Sequence, residues 1–133
     1  MNEGPLVAVV DDDESVRESL QGLLREAGFI VISFASAEEF LIAGRSDETR
    51  CLVTDIDMPG MSGCDLQQEL RQREDSIPVI FISAHVDDVL RSRVLEQGAV
   101  AYLCKPFSDV VLLEAIRAAV DGTEQGGRSD TGQ

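Results

Sequence analysis

Positive charge is scarce in this sequence. Eleven lysines and arginines stand against 25 aspartates and glutamates, a formal net charge of −14 over 133 residues. Nucleic acids and anionic membranes are recognised through basic patches, so this balance argues against both as direct partners. The single histidine does not alter the sum. Cysteine is sparse too: Cys51, Cys64 and Cys104 are odd in number and lack metal-ligand spacing. They support neither a disulfide framework nor a zinc site, and they read as packing residues. No apolar run approaches bilayer-spanning length, and the N-terminus lacks a signal-peptide pattern. No internal repeat is visible. These absences leave a soluble, reduced, cytoplasmic protein as the expectation.

What is present fits one globular domain. The hydrophobic fraction is 44%, too high for a disordered acidic chain. A chain of this length can bury a core without staples. The acid is not concentrated in a tail. Residues 121–133 hold three acidic side chains and one basic one, a contribution of −2, which leaves −12 in residues 1–120.

Short apolar runs alternate with amphipathic stretches. Leu6 to Val10 reads as a buried parallel strand and stops at Asp11-Asp12-Asp13. Val16, Leu20, Leu23, Leu24 and Ala27 recur at helical spacing, and Gly28 closes that helix. Phe29 to Phe34 is a second strand, and Ser36-Ala37-Glu38-Glu39 has the form of a capping box opening a short helix. Cys51 to Asp55 is a third strand, again ending in a carboxylate. A loop rich in proline and glycine precedes a helix with Leu66 and Leu70 on one face. Pro78 to Ser83 is the fourth strand, Asp87 to Gln97 the fourth helix and Val100 to Leu103 the fifth strand. Ser108 caps a last helix that reaches about Val120. Five strand–helix units imply an α/β fold with a parallel sheet covered on both faces. The expected form is a flavodoxin-like, doubly wound (βα)5 sandwich of strand order 2-1-3-4-5, with its switch point between the first and third strands.

That order brings Asp11, Asp12 and Asp55 together at neighbouring strand ends. Ser83 ends the fourth strand, and Lys105-Pro106 follows the fifth. Converging carboxylates repel unless a cation or proton intervenes. Clustered oxygens suit a hard ion such as Mg²⁺, which accepts carboxylates together with phosphate oxygens. A lysine and a hydroxyl nearby could hold the remaining oxygens of a phosphoryl group. The set fits phosphoryl transfer onto an aspartate nucleophile, with Asp55 as acceptor. Asp13 reads as a helix N-cap.

Four motifs carry a family resemblance: Val-Asp-Asp-Asp-Glu at 10–14, Thr-Asp-Ile-Asp-Met-Pro-Gly-Met-Ser-Gly at 54–63, Ser-Ala-His at 83–85 and Lys-Pro-Phe at 105–107. Each is weak alone, but all four occur in order at strand ends. The chain resembles a receiver domain of two-component response regulators, CheY-like and nearest to the FixJ-like branch. The resemblance covers residues 5–121 and leaves 122–133 as a disordered tail or linker. It implies that Asp55 accepts a phosphoryl group from the phosphohistidine of a sensor kinase. Asp12 resembles the direct Mg²⁺ ligand, Asp11 its water-mediated partner, and the backbone carbonyl of Asp57 a third ligand beside Asp55. Ser83 resembles the switch hydroxyl, Lys105 the phosphoryl-binding cation and Tyr102 the aromatic switch. The Lys105-Pro106 bond is expected to be cis. Asp57 and His85 occupy the positions that tune hydrolysis of the acyl phosphate.

The implied protein is a signalling switch, not a metabolic enzyme, controlling an output domain or partner that is expected to be transcriptional. A phosphorylation-dependent homodimer through the fourth helix and fifth strand is a further expectation. Two alternatives stand beside it. One is a degenerate receiver acting as a phosphorylation-independent interaction module. The other is an aspartate-nucleophile phosphatase of the haloacid dehalogenase type, suggested by Asp55-Ile56-Asp57. Against the latter, Met58-Pro59 follows where a small hydroxyl pattern belongs.

Overall fold

The computed structural model describes residues 4–125. Strands β1 (Leu6–Val10), β2 (Ile30–Phe34), β3 (Cys51–Asp55), β4 (Val79–Ser83) and β5 (Ala101–Cys104) alternate with helices α1 (Glu14–Glu26), α2 (Ala37–Ala43), α3 (Gly63–Gln72), α4 (Asp88–Glu96) and α5 (Asp109–Gln125). One turn of 3₁₀ helix, Ser46–Glu48, precedes β3. The strands form one parallel sheet of order β2-β1-β3-β4-β5, as the alternation of elements predicts.

Residue alternation along the strands builds two cores. Val7, Val9, Val53, Ile80 and Ile82 face α1 and α5, meeting Leu20, Leu24, Leu112 and Ile116. Their neighbours Ala8, Val10, Leu52 and Phe81 face the other way, meeting Phe40, Leu66, Leu70 and Val94 of α2, α3 and α4. Both faces of the sheet are therefore dry, which is why β1, β3 and β4 are apolar at nearly every position.

Helix starts are chemically marked. Asp13 caps α1 by accepting from the backbone N–H of Ser15 at 2.9 Å. Ser62 and Asp65 form a reciprocal capping box on α3. Ser108 accepts from the N–H groups of Val110 and Val111. At α2 the expected box is only half made: Ser36 accepts from Glu39 N–H, but the Glu39 carboxylate reaches back to Ala35 N–H instead.

One helix end differs from the sequence reading by several residues. Helix α5 continues to Gln125, past Val120 and into the segment read as tail. A helical backbone ladder can outrun its last apolar contact, and the hydrophobic pattern marks only that contact. Residues 126–133 lie outside the described residues. In α4 only Val94 is fully buried, while Val86 just before it and Val89 within it are 76% and 73% exposed. No helix among the described residues is long and apolar enough to cross a membrane.

Candidate functional site

The strand order sets the site. Because β1 and β3 are neighbours, Asp11, one residue past β1, stands beside Asp55, the last residue of β3. Asp11 is fully buried and Asp55 is 6% exposed, whereas Asp12 is exposed. Carboxylate oxygens of Asp11, Asp12 and Asp55 all lie within 4.8 Å of one another.

Asp11 is held from several sides. Its Oδ1 accepts from Asp13 N–H at 2.9 Å, and its backbone N–H donates to the Phe34 carbonyl at 3.1 Å. Its own carbonyl accepts from Arg17 Nη1 at 2.7 Å. The Lys105 ammonium, just past β5, donates to Asp11 Oδ2 at 3.3 Å and lies 3.9 Å from Asp55 Oδ1. Lys105 reaches this point from the far edge of the sheet, where its N–H donates to the Ser83 carbonyl at 2.7 Å. The Lys105-Pro106 bond is cis, in line with the resemblance.

Asp55 titrates abnormally. Burial, followed by the Asp11 carboxylate, pushes its pKa from 3.8 up to about 6. Lys105 and the backbone N–H groups of Ile56 and Asp57 pull the other way without winning. Removing a carboxylate from water and setting another beside it disfavours the ionised form, and one ammonium does not fully compensate. The site is short of positive charge.

The next helix starts against the backbone of Asp55. A Cβ on Gly63 would stand 2.4 Å from the Asp55 carbonyl oxygen, so only glycine lets α3 begin this close to β3.

On the other side of Asp55, Ser83 is buried at the end of β4. Its hydroxyl donates to the His85 carbonyl at 3.1 Å and accepts from His85 N–H at 3.1 Å. Tyr102 is buried, and its hydroxyl donates to the same carbonyl at 3.0 Å. The two residues read as switches thus share one acceptor, the backbone of His85. The side chains of Asp57 and His85 are exposed. Sequence reasoning attached His85 to the site by its imidazole; the structure engages its peptide groups, which no residue-type pattern reveals. Arg17 was also missed. It is one of several polar residues on α1, and only the folded chain brings it back to Asp11.

The cysteines stand apart from this chemistry. Cys51 is fully buried in β3, and burial pushes its thiol up to about 12. Burial also raises Cys64. All three cysteines are free.

A doubly wound parallel sheet with carboxylates, a hydroxyl and a lysine gathered at its switch point defines a receiver-type α/β domain. The chain belongs to the response regulator receiver domain family, which matches residues 7–117. It is similar to nodulation protein W of Bradyrhizobium diazoefficiens, at 46% identity over 116 residues, covering 87% of this chain and 51% of that protein. It is also similar to transcriptional regulatory protein FixJ of Azorhizobium caulinodans, at 40% identity over 130 residues, covering 98% of this chain and 62% of that protein. Among solved structures, the response regulator StyR superposes with a TM-score of 0.88 at 43% identity, covering 97% of this chain and 65% of that one. These likenesses set the domain in the FixJ-like branch. The chain spans about half the length of nodulation protein W.

Proposed function

We propose that this receiver takes one phosphoryl group onto Asp55 from a phosphohistidine of a sensor kinase and, in that state, changes the behaviour of an output domain or partner. The observation that carries the reading is the triad of carboxylates within 4.8 Å together with Lys105 at 3.3 Å from Asp11 and 3.9 Å from Asp55. Such a set is electrostatically incomplete by itself and is completed by a cation and a phosphoryl group.

The donor set fits Mg²⁺: hard oxygens only, within 4.8 Å of one another. Asp11, Asp12 and Asp55, with the backbone carbonyl of Asp57, would hold it. When bound, it would relieve the carboxylate repulsion and draw the phosphoryl oxygens toward the acceptor. The chain's own groups do the rest. An Asp55 carboxylate oxygen bonds to phosphorus as the phosphorus–nitrogen bond breaks, and the imidazole leaves to recover its proton from solvent. Lys105 supplies a fixed positive charge for the transferred oxygens. Ser83 exchanges its hydrogen bond at His85 for one to the phosphoryl group, which removes one of the two donors at the His85 carbonyl. Tyr102 holds the other. The phosphorylated state then favours a different arrangement of β4, β5 and the loop between β4 and α4.

The exposed Val86, Val89 and Val100 support a second copy of this chain as one partner, through α4 and β5. The net charge of −14 supports a domain that regulates nucleic-acid binding elsewhere without touching DNA itself. Asp57 and His85, exposed beside the acceptor, are proposed to set how fast water removes the phosphoryl group.

A small-molecule phosphodonor with and without Mg²⁺, read by intact mass, tests the central step. One phosphoryl group per chain is expected with Mg²⁺ and none for Asp55→Asn. Continuous turnover of phosphomonoesters would favour the phosphatase alternative, and failure of the parent to be modified would favour the phosphorylation-independent module.

A further inference from the structure

The acceptor strand and α3 are joined by residues 56–62, and this loop carries the Asp57 backbone. Two features hold it. At its C-terminal end it closes on its own first residue, just past β3: Gly63 N–H donates to the Ile56 carbonyl at 3.0 Å. At its tip it is gripped from outside by α2. Glu38 Oε2 accepts from Met61 N–H at 3.0 Å, across 23 residues of sequence.

A second, separate observation locates the same contact. Gly60 adopts φ +77, and a Cβ there would lie 2.8 Å from Glu38 Oε2. The carboxylate is therefore packed against a glycine and bonded to the following amide. Beneath the tip, Met58 is buried in the cluster that holds Ala37 and Phe40 of α2. The loop is tied to α2 by one polar bond and shares an apolar cluster with it.

Glu38 is not occupied with its own helix. Ser36 caps α2 by accepting from Glu39 N–H at 3.1 Å, and Glu39 Oε1 accepts from Ala35 N–H at 3.1 Å. The neighbouring acid does the local work, and Glu38 reaches outward. Its place in the first turn of α2 favours a negative charge there.

We infer that Glu38 is a positioning residue for the site: it fixes the loop 56–62 so that the Asp57 backbone stays presented to Asp55 and to a cation. This rests on the reading of Asp55 as a Mg²⁺-dependent acceptor. The backbone N–H groups of Ile56 and Asp57 pull the pKa of Asp55 down, so the loop conformation is already part of the acceptor's environment. Freeing the tip lets the loop sample positions in which those peptide groups point elsewhere. A ligand oxygen that must first be ordered binds a cation less tightly than one held in place.

The test is calorimetric titration of Mg²⁺ into the full chain and its Glu38→Ala, Glu38→Gln and Gly60→Ala variants. Hydrogen exchange at the Met61 amide and thermal melts without Mg²⁺ accompany it. Glu38→Ala should weaken Mg²⁺ affinity about tenfold, the scale of lost outer-shell support. It should also speed exchange at Met61. Glutamine keeps the acceptor oxygen, so Glu38→Gln should bind Mg²⁺ within about twofold of the parent, less than the effect of one lost hydrogen bond. Gly60→Ala, whose methyl displaces the carboxylate, should reproduce the loss. Parent-like affinity in Glu38→Ala overturns the role of Glu38, as does a Glu38→Gln variant as weak as the alanine. A parent that takes up no Mg²⁺ overturns the reading of the site itself.

Discussion

The two ends of the sheet are built on opposite terms. At the amino-terminal end the connections are closed by helix-ending turns and ordinary hydrogen bonds, such as Ser46 to Asp75 at 3.2 Å. At the carboxyl-terminal end Asp11, Asp55, Ser83 and Lys105 converge with more negative than positive charge, and Asp55 is held near pKa 6. The apolar layers between the ends account for folding. The carboxyl end works against it, and a stable scaffold can carry such an unfavourable site. The contrast can be broken by moving charge at one end or strain at the other.

The largest effect should come from Lys105. Lys105→Ala removes the charge nearest both Asp11 and Asp55. Loss of one fixed electrostatic donor costs about 10²–10³ in rate where charge develops on the transferred group. Phosphorylation from a small donor should slow by about that factor, measured as initial rate by mass spectrometry. The circular dichroism spectrum should not change, because Lys105 is outside the two apolar clusters. A rate within about threefold of the parent would be too small for an electrostatic donor and would remove Lys105 from the chemistry.

How much of this arrangement the sequence discloses depends on the kind of contact. Strand positions were legible because Val7 to Val10, Cys51 to Val53 and Ile80 to Ile82 are buried on both faces and so are apolar runs. The strand order followed from handedness rules, not from residues. Asp11, Asp55, Ser83 and Lys105 were legible because each sits where an apolar run stops. Contacts between elements were not. Glu38 on Met61, Arg17 on Asp11 and Tyr102 on the His85 carbonyl each join distant residues through a backbone group. Every residue has such groups, so residue type carries no trace of them. Helix α4 was half legible. Its span follows from the sequence, but not which of its valines is covered: Val94 is buried and Val89 faces solvent.

A smaller effect is expected from Asp55→Asn on stability. A carboxyl whose folded pKa is raised from 3.8 to about 6 binds its proton more tightly in the folded state. Stability therefore falls as pH rises between those values, and above about 6 the ionised group opposes folding. Asparagine removes that charge while keeping the shape. Without divalent cation, Asp55→Asn should gain about 1 kcal/mol at pH 8, a discounted share of the linkage term, and little or nothing at pH 4. Urea unfolding at the two pH values checks this. An equal gain at both would mean that charge is not the cause.

The smallest effect belongs to the other end of the sheet. Helix α3 closes with Glu74 N–H on the Arg71 carbonyl at 3.0 Å and Asp75 N–H on the Leu70 carbonyl at 2.9 Å, the two bonds of a Schellman motif. That motif puts Glu74 at φ 63, where a side chain clashes with its own carbonyl and glycine does not. Glu74 is exposed, so replacing it removes no packing. Glycine relieves the strain but adds freedom to the unfolded chain, and the two partly cancel. Glu74→Gly should therefore gain about 0.5–1 kcal/mol in urea unfolding. Glu74→Ala, which keeps the strained φ, should gain nothing. Unlike Asp55→Asn, the glycine gain should be the same at pH 4 and pH 8, because its source is backbone geometry. A pH-dependent gain at Glu74 would mean that its carboxylate, not its φ, is the cost, and the two ends of the sheet would then differ in degree only.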